Sequence, residues 1–231
     1  MEVKKLAWDS EFFNLRIGRA DLSSAEDTEA LEGQKKLLKD NYDLIYVFAN
    51  HGIGLHSPDA KLIDEKVVFA LENTNQVEYY KDVMIWNSEQ GVTKDLLHLA
   101  LVSGKYSRFK LDKEFPAGSY ERLYTRWIEQ SVNHIMATEV FCYMIDDKPK
   151  GLVTLDRKDG MGTIGLVAIH EECQNRGVGS LMMRHVINYA QQSRCEHLSV
   201  ATQLNNLPAC KLYEKNGFKI DSITDVWHWW L

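Results

Sequence analysis

The sequence predicts an α/β fold in which helices flank a mixed, mostly antiparallel sheet. The first indication is the order of elements after residue 140, where a hairpin precedes a strand, a helix, a strand, a helix and a final pair of strands. The second is the composition, since 45% of the 231 residues are hydrophobic and 26% are charged, as in a typical globular protein. A chain of this length buries a core as one large domain or two small ones.

The first 105 residues are predicted to form a smaller N-terminal α/β domain. A helical stretch covers residues 25–40, and a strand covers residues 44–49. The turn-prone residues 50–52 end this strand, and a second strand covers residues 66–70. The chain is divided at this point, and residues 106–231 are predicted to form a second domain.

The second domain has the more regular pattern. It begins with a helix over residues 119–134, in which Leu123, Trp127 and Ile128 share one face. The turn at residues 146–149 then joins two strands in a hairpin. The elements that follow are a strand at 161–169, a helix at 177–192, a strand at 198–201, a helix at 208–216 and short strands at 218–220 and 226–230.

Composition and charge exclude several classes of protein. With 27 Lys and Arg against 33 Asp and Glu, the net charge is −6, and no excess of cations is available to neutralise nucleic-acid phosphates. The 4 cysteines form no C-x-x-C pair, which favours a reduced, cytoplasmic protein over a disulfide scaffold. Neither a signal-peptide core nor a membrane-spanning apolar run is present, so no membrane insertion is expected. The histidines lack the H-x-x-x-H spacing of a catalytic metal site, and no metal is expected.

A glycine-containing loop between an apolar strand and an amphipathic helix is the clearest chemical signal. Its glycines allow a tight turn, and the unpaired N–H groups and positive dipole end of the following helix favour a pyrophosphate. A P-loop would need a lysine after the last glycine, and a dinucleotide fingerprint would need a third glycine. A plain turn between strand and helix stays open as the alternative. The loop residues are Gln174, Asn175, Arg176, Gly177, Val178, Gly179 and Ser180.

A second motif follows about thirty residues later and permits a family resemblance. Residues 206–218 contain N-x-x-A-x-x-L-Y-E-K-x-G-F, which taken alone predicts a short core helix with Leu212 and Phe218 buried. The pair of motifs Q-x-x-G-x-G and N-x-x-A-x-x-L-Y-E-K-x-G-F resembles the GCN5-related N-acetyltransferase (GNAT) superfamily. The resemblance implies a GNAT fold, with a central strand that separates from its neighbour at residues 198–202 and opens a V-shaped cleft.

The resemblance also implies a role for individual residues in binding acetyl-CoA as the acetyl donor. The loop from Gln174 to Ser180 would hold its pyrophosphate, and Asn206 would touch its arm. Tyr213 occupies the position of the family's proton donor, and its alternative is a packed aromatic residue. The pantetheine group would pair with the strand backbone, as an added strand does, at Leu166, Val167 and Ala168.

A narrower resemblance links the chain to the dTDP-4-amino-4,6-dideoxygalactose (dTDP-fucosamine) N-acetyltransferases. These enzymes acetylate a nucleotide-linked amino sugar during surface polysaccharide synthesis, and their first hundred residues form a truncated GNAT-like domain. The segments that carry this resemblance are residues 8–13, Ser107–Arg108–Phe109 with Asp112, and residues 123–128, 200–206 and 228–231.

The narrower resemblance nominates residues for the acceptor site. Arg108 is a candidate partner for phosphate, and its alternative is a surface position. Asp64, Glu65, Gln203 and His228 are candidates for positioning or deprotonating the amine. The alternatives are a solvated pair on an edge strand for the two carboxylates and a core histidine for His228.

The sequence leaves the acceptor and the assembly open. The leading hypothesis is acetyl transfer to a dTDP-amino sugar, and the alternatives are another small amine, a polyamine, a protein N-terminus, or an acetyl-CoA-binding module without activity. The aromatic residues 227–231 pack either within the chain or against a second copy, and the second arrangement predicts a homodimer.

Overall fold

The computed structural model describes residues 1–72 and 82–231. Within these ranges strands and helices are interspersed. The elements are β1 (Lys4–Lys5), α1 (Ala7–Phe13), β2 (Ile17–Leu22), α2 (Ala25–Glu32), α3 (Lys35–Asn41), β3 (Leu44–Asn50), β4 (Ala60–Glu72), β5 (Val83–Ile85), α4 (Lys94–Ser103), α5 (Arg108–Leu111), α6 (Ser119–Val132), β6 (Glu139–Ile145), β7 (Lys148–Lys158), β8 (Met161–Ile169), α7 (Val178–Gln192), β9 (His197–Gln203), α8 (Leu207–Lys215) and β10 (Lys219–Trp230).

The strands form one continuous mixed sheet in the order β1-β2-β3-β10-β4-β9-β8-β7-β6-β5. The neighbours β2 and β3 are parallel, as are β8 and β9, and the remaining pairs are antiparallel. The sheet crosses the predicted division at residue 105, because β10 lies between β3 and β4, and β4 pairs with β9. The two predicted domains are therefore two stretches of sequence that share one sheet.

Most predicted elements are present, and two differ. The helix predicted over residues 25–40 is two helices, because the chain breaks at Gly33 and Gln34, where a poor helix former caps α2. The two short strands predicted at the C-terminal end are one strand, β10, with a bulge near Ile220. Pairing with β4 from Ser222 onward, and with β3 from Thr224 onward, keeps the intervening residues extended.

Helices cover both faces of the sheet and enclose three apolar clusters. One cluster lies under α4 and α6 and includes Leu99, Leu123 and Ile128. A second lies under α7 and α8, and a third under α2 and α3. Trp229 in β10 is fully buried in the third cluster, so the aromatic C-terminal segment packs within the chain. None of the helices in the described ranges is long and apolar enough to cross a membrane.

The parallel strands β8 and β9 separate halfway along their length. They pair from Met161 and His197 as far as Ile164 and Val200, and no pairing joins the rest of the two strands. On its other side β8 stays paired with β7 as far as Ile169. The separation predicted from the family resemblance is therefore present, and it opens the sheet between β8 and β9.

Candidate active site

A cleft of about 730 Å³ passes through the opening between β8 and β9. One end lies at the N-terminus of α7, and the other lies on the opposite face of the sheet, between β4, α5 and α6. Most of the residues nominated from the sequence line it. These are Asp64, Arg108, Leu166, Val167, Ala168, Gln174, Asn175, Gly177, Gly179, Ser180, Gln203, Asn206 and Tyr213.

The loop before α7 presents a row of unpaired backbone donors. Asn175 and Gly177 have positive φ angles of 59° and 82°, and α7 begins at Val178. Within the described part of the chain, the N–H groups of residues 175–180 donate to no backbone acceptor, whereas the N–H of Leu181 donates to Gly177. This combination of turn and helix N-terminus is suited to a phosphate or pyrophosphate.

The open edge of β8 offers backbone groups in the cleft. The N–H of Leu166 and the N–H of His170 both point toward β7, where they donate to Thr154 Oγ1 and to the Lys150 carbonyl at distances of 2.8 Å each. Because successive N–H groups of a strand point to opposite sides, those of Val167 and Ile169 point toward the opening. Leu166 and Ala168 instead contribute their buried side chains. Of the three residues nominated for backbone pairing, Val167 has the suitable orientation.

Tyr213 lies in α8 at the junction of the two halves of the cleft. It is only 3% exposed, and its ring packs against Phe69 and Phe218 at centroid distances of 5.6 and 6.0 Å. Burial raises the pKa of Tyr213, so the hydroxyl keeps its proton at neutral pH. The residue is a packed aromatic that also lines the cleft, and its role as a proton donor stays a prediction.

Arg108 forms the floor of the cleft on the α5 side. Its guanidinium lies over the rings of Phe109, Tyr46 and Phe48 at 4.6, 4.8 and 5.5 Å. The Nε atom is buried and has no hydrogen-bond partner among the described residues. No carboxylate in the described part of the chain lies at ion-pair distance from it, and burial lowers its pKa. The carboxylates of Asp64 and Asp9 act on it only from beyond ion-pair distance, so this desolvated cation favours an anionic ligand.

Asp64 faces Arg108 across the cleft from β4. It is 8% exposed, and its Oδ1 atom has no hydrogen-bond partner among the described residues. Burial raises the pKa of Asp64 to about 6, although the positive charge of Arg108 and the amide of Gln203 act in the opposite direction. The carboxylate is therefore ionised at neutral pH and basic enough to accept a proton.

Lys66 is a second cation in this part of the cleft, and the sequence analysis missed it. It lies two residues after Asp64 on the same face of β4, opposite Gln203 of β9. Burial lowers the pKa of Lys66, and the nearby positive charges of Arg108 and Arg19 lower it further. Strand alternation is the signal that could have found it, because residues 64 and 66 share a face.

Glu65 and His228 lie outside the cleft. Glu65 is on the opposite face of β4, close to His51 and Asp225. His228 is fully buried, its Nδ1 atom is 2.5 Å from Asp112 Oδ2, and burial lowers its pKa. His228 is therefore a core histidine, which was the alternative to a role in the acceptor site. The alternative for Asp64 and Glu65, a solvated pair on an edge strand, is wrong because β4 is central in the sheet.

Two residues of the glycine loop also lie outside the main cleft. Arg176 is exposed and lines a neighbouring hollow with Lys148 and Lys150. Val178 is buried in the cluster under α7, so only its backbone N–H is available to a ligand.

A sheet opened between two parallel strands, with a helix N-terminus on one side and a tyrosine at the junction, defines an acetyltransferase of the GNAT type. Residues 106–218 match the family described as "Acetyltransferase (GNAT) family". The matched range contains the loop and both motifs found in the sequence.

Three relatives share part of the sequence or the fold. Spore coat polysaccharide biosynthesis protein SpsD of Bacillus subtilis is 22% identical over 142 residues, which cover 62% of this chain and 49% of that protein. The match therefore spans about half the length of this relative. A functionally unknown conserved protein from Staphylococcus epidermidis shares the fold with a TM-score of 0.61, 14% identity, and coverage of 99% of this chain and 90% of that one. A putative GNAT acetyltransferase from Novosphingobium aromaticivorans shares it with a TM-score of 0.54, 15% identity, and coverage of 82% and 75%.

Proposed function

We propose that the protein transfers the acetyl group of acetyl-CoA to the amine of a nucleotide-linked amino sugar, such as dTDP-4-amino-4,6-dideoxygalactose. The observation on which this rests is the pair of cations formed by buried Arg108 and half-buried Lys66, which make no ion pair within 4 Å in the described part of the chain and lie beside the buried carboxylate of Asp64. A sugar with a phosphate at one end and an amine at the other complements this arrangement. The name of the Bacillus subtilis relative, a polysaccharide biosynthesis protein, is consistent with it.

The other half of the cleft is suited to acetyl-CoA. The unpaired N–H groups of residues 175–180 would hold the pyrophosphate, and the N–H group of Ile169 would pair with a pantetheine amide. Asn206, whose side chain donates to Thr202 at 3.1 Å, would lie against the cofactor arm. When bound, acetyl-CoA supplies an acetyl group activated as a thioester.

Replacement of Gly177 by alanine tests this part of the site. Its φ angle of +82° is unfavourable for alanine, so we expect the free energy of unfolding to fall by about 1 kcal/mol. The loop relaxes away from its donor geometry, and the Kd for acetyl-CoA rises about tenfold, equivalent to about 1.4 kcal/mol. Urea unfolding and calorimetry measure the two effects. Gly52, with φ of +89° and open space around it, is the matched control. G52A should lower the free energy of unfolding and leave the Kd for acetyl-CoA unchanged.

Asp64, the Val167 N–H and Tyr213 each have one step in the proposed reaction. Asp64 accepts a proton from the ammonium group, directly or through a water molecule, and the free amine attacks the acetyl carbon. The Val167 N–H stabilises the negative charge that develops on the carbonyl oxygen. As the C–N bond forms and the C–S bond breaks, the electron pair passes to sulfur, and Tyr213 donates the proton that the sulfur takes up. The second proton of the attacking amine leaves the new amide nitrogen and returns through water to the Tyr213 oxygen.

Asp64→Asn tests the base. Because the pKa of Asp64 is about 6, kcat/KM of the native enzyme should rise with pH through about 6 as the carboxylate ionises. D64N should lose this limb and lower kcat/KM at pH 7.5 about 100-fold. Its stability at pH 7.5 should not fall, because a carboxylate whose pKa is raised by folding destabilises the protein once ionised. Glu65→Gln, one residue away on the other face, should leave the profile unchanged.

The cleft argues against the other acceptors. A polyamine would bring positive charge to Arg108 and Lys66, although the overall charge of −6 favours it. A peptide N-terminus brings no phosphate for these cations. An acetyl-CoA sensor would not need Asp64 and Tyr213 in one cleft. CoA release with dTDP-4-amino-4,6-dideoxyhexoses, spermidine and short peptides tests all of these; turnover confined to spermidine or peptides would refute the proposal.

A further inference from the structure

The point at which β8 leaves β9 coincides with a β-bulge. Along β7 and β8, Val153 pairs with Val167 and Leu155 pairs with Ile164, so two residues of β8 lie opposite the single residue Thr154. The pairing of β8 with β9 ends at Ile164, immediately before these two residues. A bulge bends and twists the strand that contains it, so the bulge accounts for the separation of the strands.

The Thr154 side chain supplies the hydrogen bond that this bulge needs. Its Oγ1 atom accepts from the N–H of Leu166 at 2.8 Å, in place of a regular ladder acceptor. Thr154 is 3% exposed and lines the cleft. The absence of a side chain at Gly165 leaves room for this hydroxyl, because a Cβ at residue 165 would lie 2.7 Å from Thr154 Oγ1. The hydroxyl and the missing side chain together fix the backbone of the bulge.

The bond determines where the next donor points. With the N–H of Leu166 held toward β7, the N–H of Val167 is turned into the cleft. We propose that Thr154 is a positioning residue, which acts through Leu166 to aim the Val167 N–H at the thioester carbonyl oxygen. This inference rests on the proposed acetyl transfer and adds a residue to it from outside the sequence motifs. Without the hydroxyl, the Leu166 N–H is unsatisfied and the bulge relaxes.

Two substitutions at Thr154 and one elsewhere separate positioning from stability. Thr154→Val keeps the branched shape and removes the hydroxyl, and Thr154→Ser keeps the hydroxyl. Thr138→Val is the control away from the cleft, where Thr138 Oγ1 accepts the N–H of Arg157 at 2.9 Å and donates to Asp156 Oδ1 at 3.1 Å. We expect T154V and T138V to lower the melting temperature by similar amounts. Only T154V should lower kcat, by about 10- to 100-fold, with the Kd for acetyl-CoA changed by less than about threefold.

A measurement without an acceptor distinguishes this inference from the proposed function. In ¹⁵N-labelled protein, the Val167 amide proton should shift between the CoA and acetyl-CoA complexes, because only the second contains the thioester carbonyl. The shift should be present in the native protein, T154S and T138V and absent in T154V. An equal shift in T154V overturns the positioning role, whatever acceptor the enzyme uses. If the shifts follow expectation and no amino sugar is acetylated, the proposed acceptor is wrong and the role of Thr154 stands.

Discussion

Replacement of Tyr213 by phenylalanine is expected to lower kcat by about 10²- to 10⁴-fold, the usual contribution of a general acid. The aromatic ring stays between Phe69 and Phe218, so the packing of α8 is preserved. Only the proton donor for the departing sulfur is lost. The Kd for acetyl-CoA should change little, because the loop and the open strand bind it. Steady-state kinetics and calorimetry on the same preparation measure both quantities.

The matched control for this substitution is Tyr189→Phe. The hydroxyl of Tyr189 donates to Glu139 at 2.7 Å, outside the cleft, so Y189F loses a hydrogen bond without touching the site. It should keep the native kcat. Unchanged turnover in Y213F would remove Tyr213 from the mechanism and assign proton transfer to solvent. A fall in turnover accompanied by an equal loss of acetyl-CoA affinity would point to altered binding instead.

Arg108→Gln is expected to lower kcat/KM for a nucleotide-linked amino sugar by about 10²- to 10³-fold, equivalent to about 3–4 kcal/mol. This size is typical when a desolvated charge pair loses one partner. The free protein should lose little stability, because the free-energy cost of burying the guanidinium offsets much of what its contacts with the aromatic rings contribute. Arg108→Lys should not restore activity, since the ammonium group cannot reproduce the planar, stacked fork.

A pair of acceptors isolates the contact that Arg108 makes. The free amino sugar, which lacks the nucleotide, should react slowly with the native enzyme and with R108Q at nearly equal rates. Arg157→Gln is the control variant, because Arg157 lies over Tyr189 at 5.3 Å, away from the cleft. If R108Q slows both acceptors to the same extent, Arg108 supports the fold of the site and does not bind phosphate.

The sequence predicted the donor half of the site better than the acceptor half. The loop at residues 174–180 and Tyr213 belong to two short motifs in which local sequence determines local structure. The bulge in β8 depends on the neighbouring strand, because Thr154 is separated from Leu166 in sequence and meets it only through sheet pairing. The sequence motifs therefore predicted β8 but did not indicate Thr154, the residue that bonds to its bulge.

The acceptor half depends on which face of a strand each side chain occupies. Asp64 and Glu65 are equivalent candidates in the sequence, and strand alternation places only the first in the cleft. Lys66 shares the face of Asp64, and the choice of face depends on the packing of β4 between β10 and β9. His228 is conspicuous in the sequence, but its role is the hydrogen bond to Asp112 in the core. These distinctions require long-range contacts that periodicity does not contain.

The position of β10 determines the order in which the sheet can form during synthesis. β3 ends at Asn50 and β4 begins at Ala60, but the strand that joins them begins only at Lys219. During synthesis, β3 and β4 therefore keep unpaired edges until residues 219–230 have been made. Such long-range pairing slows folding, and the unpaired edges are exposed to aggregation in the meantime. Asp64 pairs with Val226 of β10, so the acceptor site is completed by this last closure. A nascent chain that has already made the loop at residues 174–180 lacks the strand that fixes Asp64, so under the proposed mechanism it gains activity only when the sheet closes.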